Sequence, residues 1–257
     1  MTVTNNTGHK FPSGVGFRRA FVDFAVTDAS GAVLWESGRT NDAGVLVDQD
    51  GKALAGEHWW KEDCSESLNR PGNNPHQPHY REISRQDQAQ IFQELVTTPL
   101  PDGSGQCGDT AQPAGQLTTS FLSICAKLKD NRLLPDGFLP LEQRIAISRA
   151  LGAGPDMATE TGPAATGDDP AYVAGGGDMF RYRVPLSDLK GEPAGVTATL
   201  YYQATPPFFL QDRFCTAKGA DRDRLLSIAT GLKLNGTRAE KWKLNVVGTG
   251  TVAVRRP

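Results

Sequence analysis

Apolar and polar positions alternate most clearly near the N-terminus. Ala20, Val22, Phe24 and Val26 interleave with Arg19, Phe21, Asp23 and Ala25, which is the period of a strand. Asp28-Ala29-Ser30-Gly31 is a turn with its glycine placed for positive φ, and Val33-Leu34-Trp35 returns as the hairpin partner. Val45-Leu46-Val47 followed by Asp48-Gln49-Asp50-Gly51 predicts a second short hairpin. Gln86 to Val96 fits either a short helix opened at Ser84 or a strand from Ala89 onward, and the strand is the better fit. Phe121, Leu122, Cys125 and Leu128 share one face at helical spacing, which predicts a helix over 121–129 with Cys125 in the core. Leu141 to Leu151 predicts a second helix closed by Gly152, and 154–177 reads as an exposed connection. Phe180, Tyr182 and Val184 form a strand pattern, and Val196 to Gln203 is the most strand-like run of all, stopped by Pro206-Pro207. Leu225, Ile228, Ala229 and Leu232 predict an amphipathic helix, and Trp242 to Val247 a last strand.

Strands at both ends with helices between them, and no strand–helix alternation, predict a mainly β fold. The expectation is one antiparallel β-sandwich module (Ig-like) over 1–257, with short helical insertions at about 84–152 and 221–235 and with N- and C-terminal strands sharing a sheet. The 28 glycines and 17 prolines suit its many turns. With 38% hydrophobic residues, 22% charged residues and a net charge of −2, the chain lacks the basic stripe of a nucleic-acid binder. No apolar run approaches the roughly 20 residues of a membrane span, and no signal segment precedes the first strand. The four cysteines, Cys64, Cys107, Cys125 and Cys215, form no Cys-x-x-Cys pair and no haem-attachment motif. The loop setting of Cys64 and Cys107 favours disulfides in an oxidising compartment.

Candidate chemistry is sparse. Gly8 and Pro12-Ser13-Gly14 bracket a lone His9 in a loop, where a turn has no need of histidine. Glu57 to Tyr80 is a long polar stretch holding His58, Trp59, Trp60, His76 and His79. His76 and His79 have metal-pair spacing but no evident third ligand. Asp48-x-Asp50-Gly51 with Glu57 resembles part of a calcium loop, yet Leu46 falls on the first ligand position, so a plain turn is expected. There is no Gly-x-Ser-x-Gly elbow and no phosphate-binding glycine motif, so no enzyme is indicated.

Several stretches together resemble the C-terminal, β-rich module of bacterial multihaem c-type cytochromes. They are Asn6-Thr7-Gly8-His9-Lys10-Phe11-Pro12-Ser13-Gly14 with Arg18-Arg19-Ala20, then Trp35-Glu36-Ser37-Gly38, then Pro78-His79-Tyr80-Arg81-Glu82-Ile83 with 88–94. Leu128 to Phe138 is the most specific of them, and Gly177-Asp178 with Leu200 to Gln203 completes the set. The resemblance implies an envelope location, periplasmic or extracellular, and electron-transfer company. No haem is held covalently by this chain, so the haem c belongs to an adjacent region or partner chain, and the chain is expected to be the module alone. His9 is then a candidate axial ligand to that haem's iron, with His79 as the lesser candidate. For each, the alternative is a structural loop histidine. Arg18 and Arg19 are candidates for haem propionates, or plain outward charges on a strand. Lys129-Asp130-Asn131-Arg132 reads either as a docking surface or, preferably, as a capped turn tied to the sheet. The rival class is a secreted carbohydrate- or ligand-binding β-sandwich, suggested by Trp59 and Trp60.

Overall fold

The computed structural model describes residues 1–57, 75–100, 114–167 and 169–255. In chain order the elements are β1 (Thr2–Thr4), β2 (Arg19–Thr27), β3 (Val33–Ser37), β4 (Glu82–Ile83), β5 (Ile91–Phe92), β6 (Glu94–Thr97) and β7 (Ala126–Asp130). Helices α1 (Leu141–Ala150), α2 (Pro155–Glu160) and α3 (Ala171–Ala174) come next, then β8 (Gly177–Met179), β9 (Arg181–Tyr182) and β10 (Gly195–Gln203). Helices α4 (Pro207–Thr216) and α5 (Ala220–Gly231) and strands β11 (Leu244–Gly248) and β12 (Val252–Ala253) complete the chain.

The sheet is organised on β2 and β10, the two longest strands, which pair antiparallel from Thr27↔Gly195 to Arg19↔Gln203. The order across it is β11-β10-β2-β3, with β12 added on β10 and β5 on β2. N- and C-terminal strands therefore do share a sheet, although β1 pairs with β8 apart from it. Two further small sheets are β6–β7, antiparallel, and β4–β9, parallel. The protein is thus sheet-rich, with several mainly antiparallel sheets, none of them closed.

The period-two pattern of β2 places its side chains on two faces. Ala20, Val22 and Val26 pack with Trp35, Leu200, Ile83, Phe92, Phe180 and Leu133 in the main core. Phe24 stacks on Tyr182, ring centroids 4.0 Å apart. The opposite face is also covered: Phe21 packs with Leu46, Leu54, Ala89 and Ile91. A strand buried on both sides needs no polar face, which is why Phe21 and Ala25 sit where clean alternation would put polar residues.

Both predicted hairpins are present, with Gly31 and Gly51 at φ 87° and 79°. Helices α1 and α5 lie where they were expected. Three expectations fail. The 121–129 helix is instead a turn leading into β7, and Phe121 and Leu122 are exposed. Cys125 leaves the core accordingly and is disulfide-bonded, as is Cys215. The coincidence of spacing failed because β7 has its hydrogen-bond partner in β6, a non-local choice that local periodicity does not register. The supposed connection at 154–177 contains α2 and α3, and Pro207 opens α4 at its first turn, where a missing N–H costs nothing.

Lys129-Asp130-Asn131-Arg132 is buried throughout, so it is structural rather than a docking surface. Lys129 Nζ donates to Gln77 O (2.9 Å) and Ile91 O (3.1 Å), two acceptors for the two hydrogens of a neutral amine. Burial, helped by the Arg19 charge, lowers its ammonium to about 7 from 10.5. The unfolded chain then holds one more proton than the folded one between those values, so this group makes stability rise with pH across that window. The stability of the wild type relative to Lys129→Met is expected to climb from pH 7 to 10, by up to ~1.4 kcal/mol per pH unit. Denaturant melts across that range check it; a pH-independent difference would mean Lys129 stays charged.

Candidate functional site

The His9 loop is built from hydrogen bonds on both sides of the histidine. Buried Asn5 donates through Nδ2 to His9 O and to Leu133 O, each at 2.9 Å, and its Oδ1 accepts from Thr7 N at 3.0 Å. Thr7 Oγ1 also donates to His9 O at 2.9 Å. On the far side, Lys10 Nζ reaches Asp130 Oδ2 at 2.6 Å, and Phe11 and Leu133 exchange two backbone hydrogen bonds of 2.9 Å. Burial tends to raise Asp130, but the hydrogen bonds and charges of Arg132 and Lys10 hold its carboxyl below the usual carboxylate range. Arg132 in turn donates to Ser13 O, so the same carboxylate ties down both ends of the loop.

His9 itself is exposed. Its Nδ1 lies 2.8 Å from Lys10 O. A carbonyl only accepts, so Nδ1 carries the hydrogen and Nε2 keeps a lone pair. Nε2 has no hydrogen-bond partner among the described residues. A second-nitrogen bond to backbone is the arrangement that orients an imidazole for ligation at Nε2.

His79 is the reverse case. Its side chain is 1% exposed and lies against Asp169 and Asp178. Gln90 Nε2 and Asn131 Nδ2 approach Nδ1 at 3.2 and 3.3 Å. Neither amide can be turned over. Gln90 Oε1 accepts from Tyr80 N (2.9 Å) while its nitrogen serves Asp178 Oδ2 (2.8 Å), and Asn131 Oδ1 accepts from Gln93 N (3.0 Å) while its nitrogen serves Ile91 O (2.8 Å). Nδ1 therefore accepts, and the ring hydrogen sits on Nε2, donated to Asp169 Oδ2 at 2.9 Å. Tyr172 closes the site edge-on at 4.7 Å and donates to Asn131 O.

His79, Asp169 and Asp178 bring three ligand-type atoms within 4.8 Å of one another, the third ligand that the sequence did not reveal. The tautomer argues against a metal there. Ligation at Nε2 would move the ring hydrogen to Nδ1, facing two N–H donors. For the same reason His79 is poorly placed to ligate a haem iron. His76 is half-buried and lies outside this cluster. His58, Trp59, Trp60, Cys64 and Cys107 fall outside the described residues.

The arginine candidates separate as well. Arg19 is buried, with Nη1 and Nη2 on Glu57 at 2.5 and 2.9 Å and Nε on Gln203 at 2.7 Å. It is neither an outward charge nor free for a propionate. Arg18 is half-buried, and its Nε is buried without a hydrogen-bond partner among the described residues. Glu57, the sixth residue after Gly51, serves Arg19 and Leu46 N, while Asp48 Oδ1 accepts from Asp50 N and Lys52 N. That loop is a plain turn.

No protein-family model, no curated protein and no solved structure matches the chain. Among the described residues no helix is long and apolar enough to cross a membrane.

The buried cluster is testable through Asp178. Burial pushes its carboxyl above the ordinary range, against the pull of His79 and Gln90, and Oδ1 has no hydrogen-bond partner among the described residues. Asp178→Asn keeps an acceptor for Gln90 and removes a buried negative charge beside Asp169. A folded pKa raised above the unfolded 3.8 means that stability falls as pH rises through that window. The variant is therefore expected to be more stable than wild type at pH 7–8, by ~1 kcal/mol, with the gain shrinking on acidification. Destabilisation at every pH would contradict this reading.

Proposed function

We propose that the chain is a non-catalytic accessory module of a multihaem c-type cytochrome, and that His9 ligates the iron of a haem carried by an adjacent region or partner chain. The observation that carries this reading is the His9 tautomer: an exposed Nε2 lone pair on a loop anchored through Asn5, Thr7, Lys10 and Phe11. An imidazole held this way loses little freedom on ligation, and a second nitrogen ligand makes iron low-spin and suited to electron transfer.

Unpartnered apolar surface supports a module that docks. Among the described residues α1 and α5 bury no side chain, and β11 is exposed along its whole length. Leu151 is 80% exposed, and Leu225, Ile228 and Leu232, the apolar stripe of α5, are exposed too. A soluble protein that works alone rarely leaves so many apolar stripes uncovered. Disulfides at Cys125 and Cys215 support an oxidising, envelope location. Arg18 is the remaining candidate for a propionate, and nucleic acid has no place in the reading. The sandwich architecture belongs to the same proposal: the β11-β10-β2-β3 sheet is one layer, and β1–β8 with β4–β9 across the main core is the other.

The ligand role is checked on the chain itself with a c-type haem peptide whose sixth position is open. Titration is expected to convert the peptide to a low-spin spectrum with an affinity roughly tenfold or more above that of free imidazole. His9→Gln is expected to abolish the conversion and His76→Gln to leave it intact. Conversion that survives His9→Gln, or none at all with the wild type, would overturn the assignment.

A further inference from the structure

We propose that the polar cleft on the outer face of the central sheet binds a polyhydroxylated carboxylate, a sugar acid. This site lies apart from the His9 loop and goes beyond the accessory-module reading, on which it does not depend.

The cleft has a volume of about 460 Å³, in the range of a small-ligand site. Its floor comes from four neighbouring strands, through Asp23 on β2, Glu36 on β3, Tyr201 on β10 and Asn245 on β11. One wall is the 238–243 strap, which adds Arg238, Lys241 and the carboxylate of Glu240, and Arg39 contributes a further cation to the lining. Polar groups of both signs thus converge on one cleft whose floor is fixed by sheet register.

The chemistry of floor and wall differs. Asp23 and Glu36 lie side by side on the paired strands β2 and β3, and burial raises both carboxyls against the pull of Lys243 and Arg39. Their oxygens are acceptors for the hydroxyl groups of a ligand. Lys243 Nζ sits 3.8 Å from the centre of the Tyr201 ring and 3.4 Å from Asp23 Oδ2, so the ring face is already covered. A sugar ring cannot stack on Tyr201 and would be read through its hydroxyl edges instead. Arg238 and Lys241 have no salt-bridge partner among the described residues and suit a carboxylate. A neutral sugar would use only the floor, and a simple carboxylate only the wall. A sugar acid uses both.

The strap is also held against its own backbone preference. Lys241 has φ 56° and ψ 30°, and Trp242 has φ 56°, two successive non-glycine residues in the left-handed region. Gly44 permits this: a Cβ there would lie 2.9 Å from Lys241 O and 2.9 Å from Trp242 Cβ. Gln203 fixes Gly44 by donating to its carbonyl at 2.8 Å. Glycine at position 241 would be the stable choice, and strain of this kind is retained where a side chain is used.

Calorimetric titration of the full chain with D-galacturonate tests the proposal, with D-galactose and acetate as comparisons. Galacturonate is expected to bind roughly tenfold or more tightly than either. Lys241→Gly is expected to raise the melting temperature while weakening galacturonate binding, and Arg238→Gln, an exposed change, to weaken binding with the melting temperature unmoved. Galacturonate binding no better than acetate or galactose, or binding unchanged in both variants, would overturn it.

Discussion

Burying the Arg19 guanidinium constrains much of what surrounds it. A charge at 2% exposure has to be matched in full, and Glu57 matches it with two parallel hydrogen bonds. Glu57 Oε2 also takes Leu46 N, which pulls the second hairpin onto Phe21 and closes the far face of β2. The third donor of Arg19 goes to Gln203, which holds Gly44 and so the strap over the polar cleft. Lys129, buried nearby, has no carboxylate partner among the described residues and feels the same positive charge, so its neutral form is favoured. One ion pair thus links the end of β2, the second hairpin, the strap and the protonation state of a core lysine.

A second polar assembly, around Asp130, Asn131 and Arg132, divides the two histidines that resemble candidate ligands. Asp130 and Leu133 anchor the His9 loop from below, while Asn131 fills the Nδ1 side of His79. The same short run therefore presents one imidazole to solvent with its Nε2 lone pair free and locks the other inside with Nε2 donating. Hydrogen-bond direction, rather than proximity to carboxylates, decides which of them can meet a metal.

Much of the strand framework was legible in the sequence, because β2, β3 and β10 combine period-two patterning with turn residues that have few other uses. The structural reading of Asp130-Asn131-Arg132 was legible for the same local reason. The 121–129 helix was misread because the pairing of β7 with β6 is long-range, and α4 went unseen because a proline that ends a strand can also start a helix. Arg19 looked like a surface charge, since its acid partner is 38 residues away. His79 was visible as a residue, but Asp169 and Asp178 were not visible as its neighbours, because they come from an apparent connection and a short strand 90 or more residues on. The Asp23 and Glu36 pair likewise needs the β2–β3 register to be seen.

The opposite tautomers of the two histidines are the claim from which the functional reading follows. Long-range ¹H–¹⁵N correlation spectra of the ¹⁵N-labelled protein, above the pH of imidazole protonation, measure them directly. His9 is predicted to show a protonated Nδ1 and a bare, pyridine-type Nε2, and His79 a bare Nδ1 and a protonated Nε2. A His9 ring protonated at Nε2, or a His79 ring protonated at Nδ1, would contradict the account.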